Sequence, residues 1–253
     1  MNTPSRTSPR PVASGPILLI GPESPLRRAL IQELHALPIS TTTARDFDQA
    51  ISNPVEPHRP PSVLLLPEDG IQPDEFETQL AELRIRTGSP RLMPIAFGQL
   101  PNEARRRALR DAGIDLALFG RFGRHALRFQ INRARSPWAI RRPRGELRAP
   151  QEWRTRSFSS GKEKAVRCYS LSTRGAYLVT PRPWIVGSEI SLELPLGHER
   201  LMIEGRILYT NAAGAGPGRA LPRGMAIRFD SLSNHLRHRI QSGLTGSQAK
   251  LEV

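Results

Sequence analysis

Arg141, Arg142, Arg144 and Arg148 crowd one short stretch, with Arg144 and Arg148 four positions apart. Further along come Ser170, Ser172, Arg174 and Gly175 within the run 167–178. A guanidinium is a planar fork of donors that grips phosphate oxygens in pairs and stacks on a purine. It also donates to O6 and N7 of guanine. A serine hydroxyl donates or accepts, and a glycine lets backbone come close to a bound molecule. The chemistry these residues suggest is recognition of a phosphate-bearing anion. A plainer reading stands beside it: an exposed basic linker at 141–148, a simple strand turn at Ser172 and Gly175, and a solvated cation at Arg174.

Charge favours an anionic ligand. The 253 residues carry 37 Lys and Arg against 23 Asp and Glu, a net charge of +14. Between Arg133 and Arg174 lie ten Arg and two Lys against three Glu, a local surplus of +9. Such a field draws phosphates, whether on nucleotides, nucleic acid or lipid. No reading helix or RNA signature accompanies it, which disfavours nucleic acid. No Ser/His/Asp or paired-carboxylate arrangement points to catalysis. The six histidines show no ligand spacing with Cys or acids; His235 and His238, three apart, read as a polar helix face. The glycine-rich segment 214–218 lacks the Lys-Ser/Thr of a phosphate loop and reads as a hairpin connection. The single cysteine, Cys168, excludes an internal disulfide framework and is expected inside with Val166. Hydrophobic content is 38%, mean hydropathy is −0.40, and no apolar run nears the ~20 residues of a membrane span. Residues 1–15 are rich in Pro and Ser without a signal-peptide core, and the cytoplasm is the expected compartment.

Two kinds of periodicity must position these residues. Over 16–135, apolar runs at 16–20, 63–66, 92–97 and 114–119 and a β-prone run at 39–43 alternate with helical stripes. Ser24-Pro25 starts the first helix, whose stripe is Leu26, Leu30, Leu34 and Leu37. A short helix is expected at 47–51, and Phe76, Leu80 and Leu83 mark another. Helices follow at 102–112, stopped by Gly113, and at 124–135. Pro94 weakens its strand by removing a donor. Such alternation implies a parallel sheet covered by helices on both faces. After Ser136-Pro137 the period becomes two: Ile190, Leu192 and Leu194, then Leu201, Ile203 and Ile207, then Met225, Ile227 and Phe229. Antiparallel strands closing into a small barrel are expected, then a helix capped by Ser233 and carrying Leu236 and Ile240. Trp138 and Trp153 flank the basic stretch and are expected to pack it on the barrel.

The second half resembles the PilZ family, bacterial β-barrel domains that sense cyclic di-GMP. The family pattern is Arg-x-x-x-Arg on a leading arm, then Asp/Asn-x-Ser-x-x-Gly at a strand turn. Arg144 and Arg148 match the first part; Ser172 and Gly175 match the second; Ser170 stands where the family has Asp or Asn. A second alignment sets Pro143-Arg144 on the family's frequent Pro-Arg, which moves the upstream slot to Ile140, near Arg141 and Arg142. Gly187, then Glu204 to Ile207, then 223–229 and a closing helix follow in the family's order. The first half is similar to a response-regulator receiver domain. Receivers place an acidic pair, a phospho-accepting Asp, a Thr or Ser and a Lys after strands one, three, four and five. Here those places hold Gly21-Pro22, Pro67, Gly98 and Gly120. Glu23, Glu68 and Asp69 lie nearby but displaced, and only a shift of a residue or two would restore Glu68 or Asp69 as an acceptor. Mg²⁺ needs near-octahedral oxygen ligands, and these places do not supply them. A pseudo-receiver is the expectation.

The fold class expected is therefore an α/β doubly wound receiver-like domain followed by a small antiparallel β-barrel with a C-terminal helix. Its boundaries are a tail at 1–15, the pseudo-receiver at 16–136, the basic arm at 137–150, the barrel at 151–246 and a tail at 247–253. The resemblance implies a non-enzymatic signalling protein with cyclic di-GMP as its regulatory ligand and no metal. Arg144 and Arg148 would clamp it, with Ser170, Ser172, Gly175, Arg141, Arg142 and Arg174 alongside. A serine cannot make the paired contact of a carboxylate, and losing one charged hydrogen bond costs about 1.5–3 kcal/mol. Weak binding is expected. The alternative is a ligand-independent adaptor holding protein partners in motility, polarity or envelope control.

Overall fold

The computed structural model describes residues 15–37, 39–53, 59–135, 148–197, 199–211 and 221–253. Expectations for the tail 1–14, for Arg141, Arg142 and Arg144 on the arm, and for Trp138, His198 and the 214–218 loop fall outside these residues.

Five parallel strands form the first sheet in the order β2-β1-β3-β4-β5. They are β1 (Ile17–Ile20), β2 (Thr41–Ala44), β3 (Val63–Pro67), β4 (Met93–Gly98) and β5 (Leu116–Phe119). Strands β1 and β5 are buried at every residue, as unbroken apolar runs between two helical layers must be. The helices are α1 (Pro25–Ala36), α2 (Phe47–Ser52), α3 (Pro73–Arg86), α4 (Glu103–Asp111) and α5 (Arg124–Ala134). The Ser24 side chain caps α1 by accepting from the Arg27 backbone N–H at 3.1 Å. Leu30, Leu34 and Leu37 are buried, but Leu26 is exposed. The inward place in that first turn goes to Arg27, which pairs with Glu23. Pro94 is tolerated because β4 meets β5 only from Ile95 onward, so its missing donor faces no partner on that side.

The second unit is a closed barrel. Its strands are β6 (Arg148–Pro150), β7 (Arg154–Ser159), β8 (Lys162–Ser172), β9 (Gly175–Val179), β10 (Glu189–Leu196), β11 (Glu199–Asn211) and β12 (Gly224–Phe229). The circuit runs β7-β8-β9-β12-β11-β10 and back to β7, with β6 added on the far half of β8. Cys168, Leu171, Leu192, Ile203 and Ile227 fill the interior, and Ile240 and Leu244 of helix α6 (Asn234–Leu251) pack against them. Trp153 packs on this core as well. No helix of the described residues is long and apolar enough to cross a membrane.

Two sequence boundaries need correction. Arg148 belongs to a strand, not to a leading arm, because β8 is longer than β7 and leaves an edge for β6 to pair. The expected tail 247–253 is not one: α6 continues to Leu251, and Leu251 and Val253 are buried. Glu252 bridges to Leu116 at the free edge of β5 and pairs with Arg133 at 2.7 Å. Gln130 donates to the carbonyls of Ala117 and Leu251, and Arg106 to that of Glu252 at 2.9 Å. The contacts made by Leu251 and Glu252 join positions more than a hundred residues apart, which no local pattern reveals. A second junction sets Leu127 and Phe129 of α5 in one apolar cluster with Tyr169 and Tyr177 of the barrel.

Candidate functional site

Cross-strand register assembles the site. Arg148 on β6 faces Ser172 on β8, Ser172 faces Gly175 on β9, and Gly175 faces Arg228 on β12. Their neighbours Ala149, Leu171, Ala176 and Ile227 all belong to the barrel core, so this row is on the outer face of the barrel wall, with Arg228 exposed and Ser172 and Gly175 covered. A bulge at Tyr169 lets β8 turn Tyr169 outward while keeping Cys168 and Leu171 inside. Arg148 Nη1 reaches along the strand and donates to Ser170 Oγ at 3.3 Å. The Ser172 hydroxyl closes the β8–β9 turn, donating to the Gly175 carbonyl at 3.2 Å and accepting from the Arg174 N–H at 3.3 Å. Ser170 and Ser172 are both almost wholly buried. At Gly175 a β-carbon would stand 2.1 Å from the Ile227 carbonyl oxygen, so the approach of β9 to β12 admits only glycine.

An open cavity of about 550 Å³ lies beside this turn. Arg174, Arg228 and Arg237 line it together with Asp230, over Phe229 and Leu232. A cavity of that volume accommodates a nucleotide-sized molecule, and its three guanidiniums suit phosphate oxygens. Sequence reasoning named Arg174 but missed Arg228 and Arg237. Strand alternation from Ile227 and Phe229 sets Arg228 outward and was a usable signal. Arg237 comes from α6 and reaches the cavity only through the tertiary fold.

Burial governs the titrating groups. The Cys168 thiol is pushed up to about 12 by burial, despite the opposing charge of Arg148, which rules it out as a ready nucleophile. Burial likewise pushes the Tyr169 and Tyr177 hydroxyls up to about 12. His125 on α5 lies 4.6 Å from the Tyr169 ring, edge to face, and its Nε2 is 2.7 Å from the Tyr169 carbonyl. Desolvation holds its pKa below the usual value, so at neutral pH the ring is uncharged and Nε2 carries the donated proton. Asn132 donates to the Tyr169 hydroxyl at 3.0 Å. Tyr169, one residue from Ser170, is thus a point of contact between the barrel and α5.

The strand ends of the first unit look different. Gly21 and Pro67 adjoin, and a β-carbon at Gly21 would meet the Pro67 ring at 2.9 Å. Glu68 is turned aside: it pairs with Arg105 at 3.3 Å and packs over Gly98. Arg105 is held further by the Ile71 carbonyl at 2.7 Å. Glu23 pairs with Arg27, and Asp69 is exposed. Among the described residues, no group of three or more His, Cys, Asp or Glu stands close enough to hold a metal ion.

No protein-family profile matches the sequence. No curated protein matches it either. Structural neighbours include PilZ domains over the C-terminal half and response-receiver domains over the N-terminal half. The PilZ domain of YcgR from Escherichia coli, solved with c-di-GMP, is 16% identical and covers 42% of this chain and 92% of its own, with a TM-score of 0.34. The chemotaxis protein CheY4 of Vibrio cholerae is 14% identical and covers 48% and 99%, with a TM-score of 0.40. PlzA of Borreliella burgdorferi, in complex with c-di-GMP, is 13% identical with a TM-score of 0.27; the match covers 36% of this chain and 32% of PlzA.

Proposed function

We propose that this chain is a regulatory, non-catalytic signalling protein whose barrel binds cyclic di-GMP and passes its occupancy to protein partners. One observation carries the reading: Arg148 and the Ser170–Gly175 hairpin share an outer face of the barrel wall that adjoins a cavity ringed by Arg174, Arg228 and Arg237. Arg148 would grip phosphate and stack on guanine, and the cavity guanidiniums would meet the remaining phosphate oxygens. Arg141, Arg142 and Arg144, which lie outside the described residues, would add guanidiniums for the same phosphates. Ser170 offers one hydroxyl where a carboxylate would accept from two guanine donors, so the affinity is low for a site of this kind. Relay follows from Tyr169, which is one residue from Ser170 and rests on His125 and Phe129 of α5. The α/β unit then serves as a platform for protein contacts.

A second reading, a ligand-independent adaptor, draws on a specific observation. Ser172 and Gly175 have full structural reasons in the turn and in the β9–β12 approach. Calorimetric titration of the full chain with cyclic di-GMP separates the two. The sensor reading expects heat that saturates at micromolar ligand and collapses in Arg148→Ala. A flat titration of the folded wild type removes it and leaves the adaptor.

A further inference from the structure

The barrel end opposite the Thr173-Arg174 turn presents a different chemistry. It is built from the β7–β8 hairpin, the segment 180–188 and the start of β12. Ile185 and Val186 are 80% and 54% exposed at the tip of that segment. They form an adjacent aliphatic pair held in water at one end of the barrel.

The tip is rigidly made. The Trp184 indole N–H donates to Ser157 Oγ at 3.1 Å, and its backbone N–H to Met225 Sδ at 3.3 Å. Gly187, at φ 86°, turns the chain so that its N–H reaches the Ile207 carbonyl at 2.9 Å. Ile207 answers with a bond to the Ser188 carbonyl at 3.0 Å. Leu208, which follows on the same strand, is 48% exposed.

Cations surround the tip. Lys164 Nζ lies 3.4 Å from the centre of the Trp184 ring and donates to the Arg182 carbonyl at 3.0 Å. Arg182 is exposed, and so is Arg223, whose carbonyl accepts from Thr180. The nearby carboxylates Glu163 and Glu189 are paired with Arg156 and Arg206. The tip therefore joins a small apolar wedge, a half-buried tryptophan packed on the barrel core beneath Lys164, and a positive rim, on a chain of net charge +14.

We propose that this end of the barrel docks on the surface of an anionic lipid bilayer. Ile185 and Val186 enter the headgroup boundary, Trp184 lies at its level, and Lys164, Arg182 and Arg223 meet lipid phosphates. Charge complementarity and size favour lipid over protein. A stable protein interface needs about 800 Å² from each partner, far more than a tip of two or three aliphatic residues supplies. The surface is separate from the nucleotide site, and the proposal stands without it.

Co-sedimentation of the full chain with vesicles tests it. Vesicles of equimolar phosphatidylcholine and phosphatidylglycerol are compared with phosphatidylcholine alone, for wild type and for the charge-neutral pair Ile185→Ser and Val186→Ser. Both side chains are exposed, so the double variant keeps the wild-type melting temperature. Wild type is expected to sediment with the anionic vesicles and to leave them as salt rises. The double variant should partition about tenfold less or weaker still, and Arg182→Glu should also weaken sedimentation. Undiminished sedimentation of the double variant would overturn the proposal by showing that charge alone holds the chain. Failure of wild type to sediment with anionic vesicles would overturn it too, and would leave the tip to a protein partner. Equal sedimentation with phosphatidylcholine alone would refute the anionic requirement.

Discussion

The α/β unit and the barrel treat their surface loops in opposite ways. At the strand ends of the first, Gly21 and Pro67 pack together, and Glu68 is occupied by Arg105. At the hairpin face of the second, Arg148, Arg174 and Arg228 stand at the rim of open space or reach along it. Both units have fully buried cores, with Leu64, Leu65 and Phe76 in one and Leu171, Leu192 and Met225 in the other entirely inaccessible. A buried pattern specifies a fold, whereas chemistry rests on a few residues at its edges, and the two can be lost or kept independently.

The sharpest way to break this contrast is at glycine. In the barrel, Gly175→Ala sets a methyl against the Ile227 carbonyl and should cost about 3 kcal/mol or more, seen as a lower denaturation midpoint. In the first unit, Gly70→Ala meets only the Pro67 ring at ordinary contact, 3.4 Å, and should change stability by less than about 0.5 kcal/mol. Equal effects would mean that Gly175 is not held as tightly as its register implies. Next in size is the arginine pair. Arg148→Ala should weaken cyclic di-GMP about tenfold to a hundredfold in calorimetry, while Arg105→Ala should leave that affinity unchanged. A loss in the second variant would bring the ligand to the wrong unit. Ser170→Asp sharpens the site further. Its carboxylate gains Arg148 as a partner and gives guanine a paired acceptor, so affinity should rise by about tenfold.

The smallest effect concerns the seam between the units. His125 has its pKa lowered by burial, so the folded protein resists protonating it. The unfolded chain therefore binds more protons, and stability rises with pH in that window. The contribution is complete above the ordinary histidine value and fades as pH falls from there through the lowered one. Thermal melts across that range should show this slope in wild type and lose it in His125→Gln. An unchanged slope would assign it to another group.

Apolar runs and alternation are local, so β1, β3, β5 and the strands around Ile190, Ile203 and Ile227 could be read directly from spacing. The cap Ser24 was equally legible, because a capping side chain bonds only three residues away; Asn102, expected inside its helix, is instead the cap of α4. Arg148, Ser170, Ser172, Gly175 and Arg174 were legible as a constellation, since a hairpin and its flanking strand keep sequence neighbours together. Their roles were less so: that Ser172 closes its own turn, and that Gly175 yields to Ile227, depends on a strand fifty residues away.

The sequence by itself determined the two layered cores, their order, and the concentration of positive charge around one hairpin. Those properties follow from side-chain period and composition, which act over a few residues. Only the tertiary structure decided that Arg237 would join the cavity, that Tyr169 would lean on α5, and that residues 251–253 would fasten to the edge of β5. Each of these is a pairing between distant segments, fixed when the last open sheet edge and the last exposed apolar faces found partners, and long-range closure of that kind leaves no periodic trace in the chain.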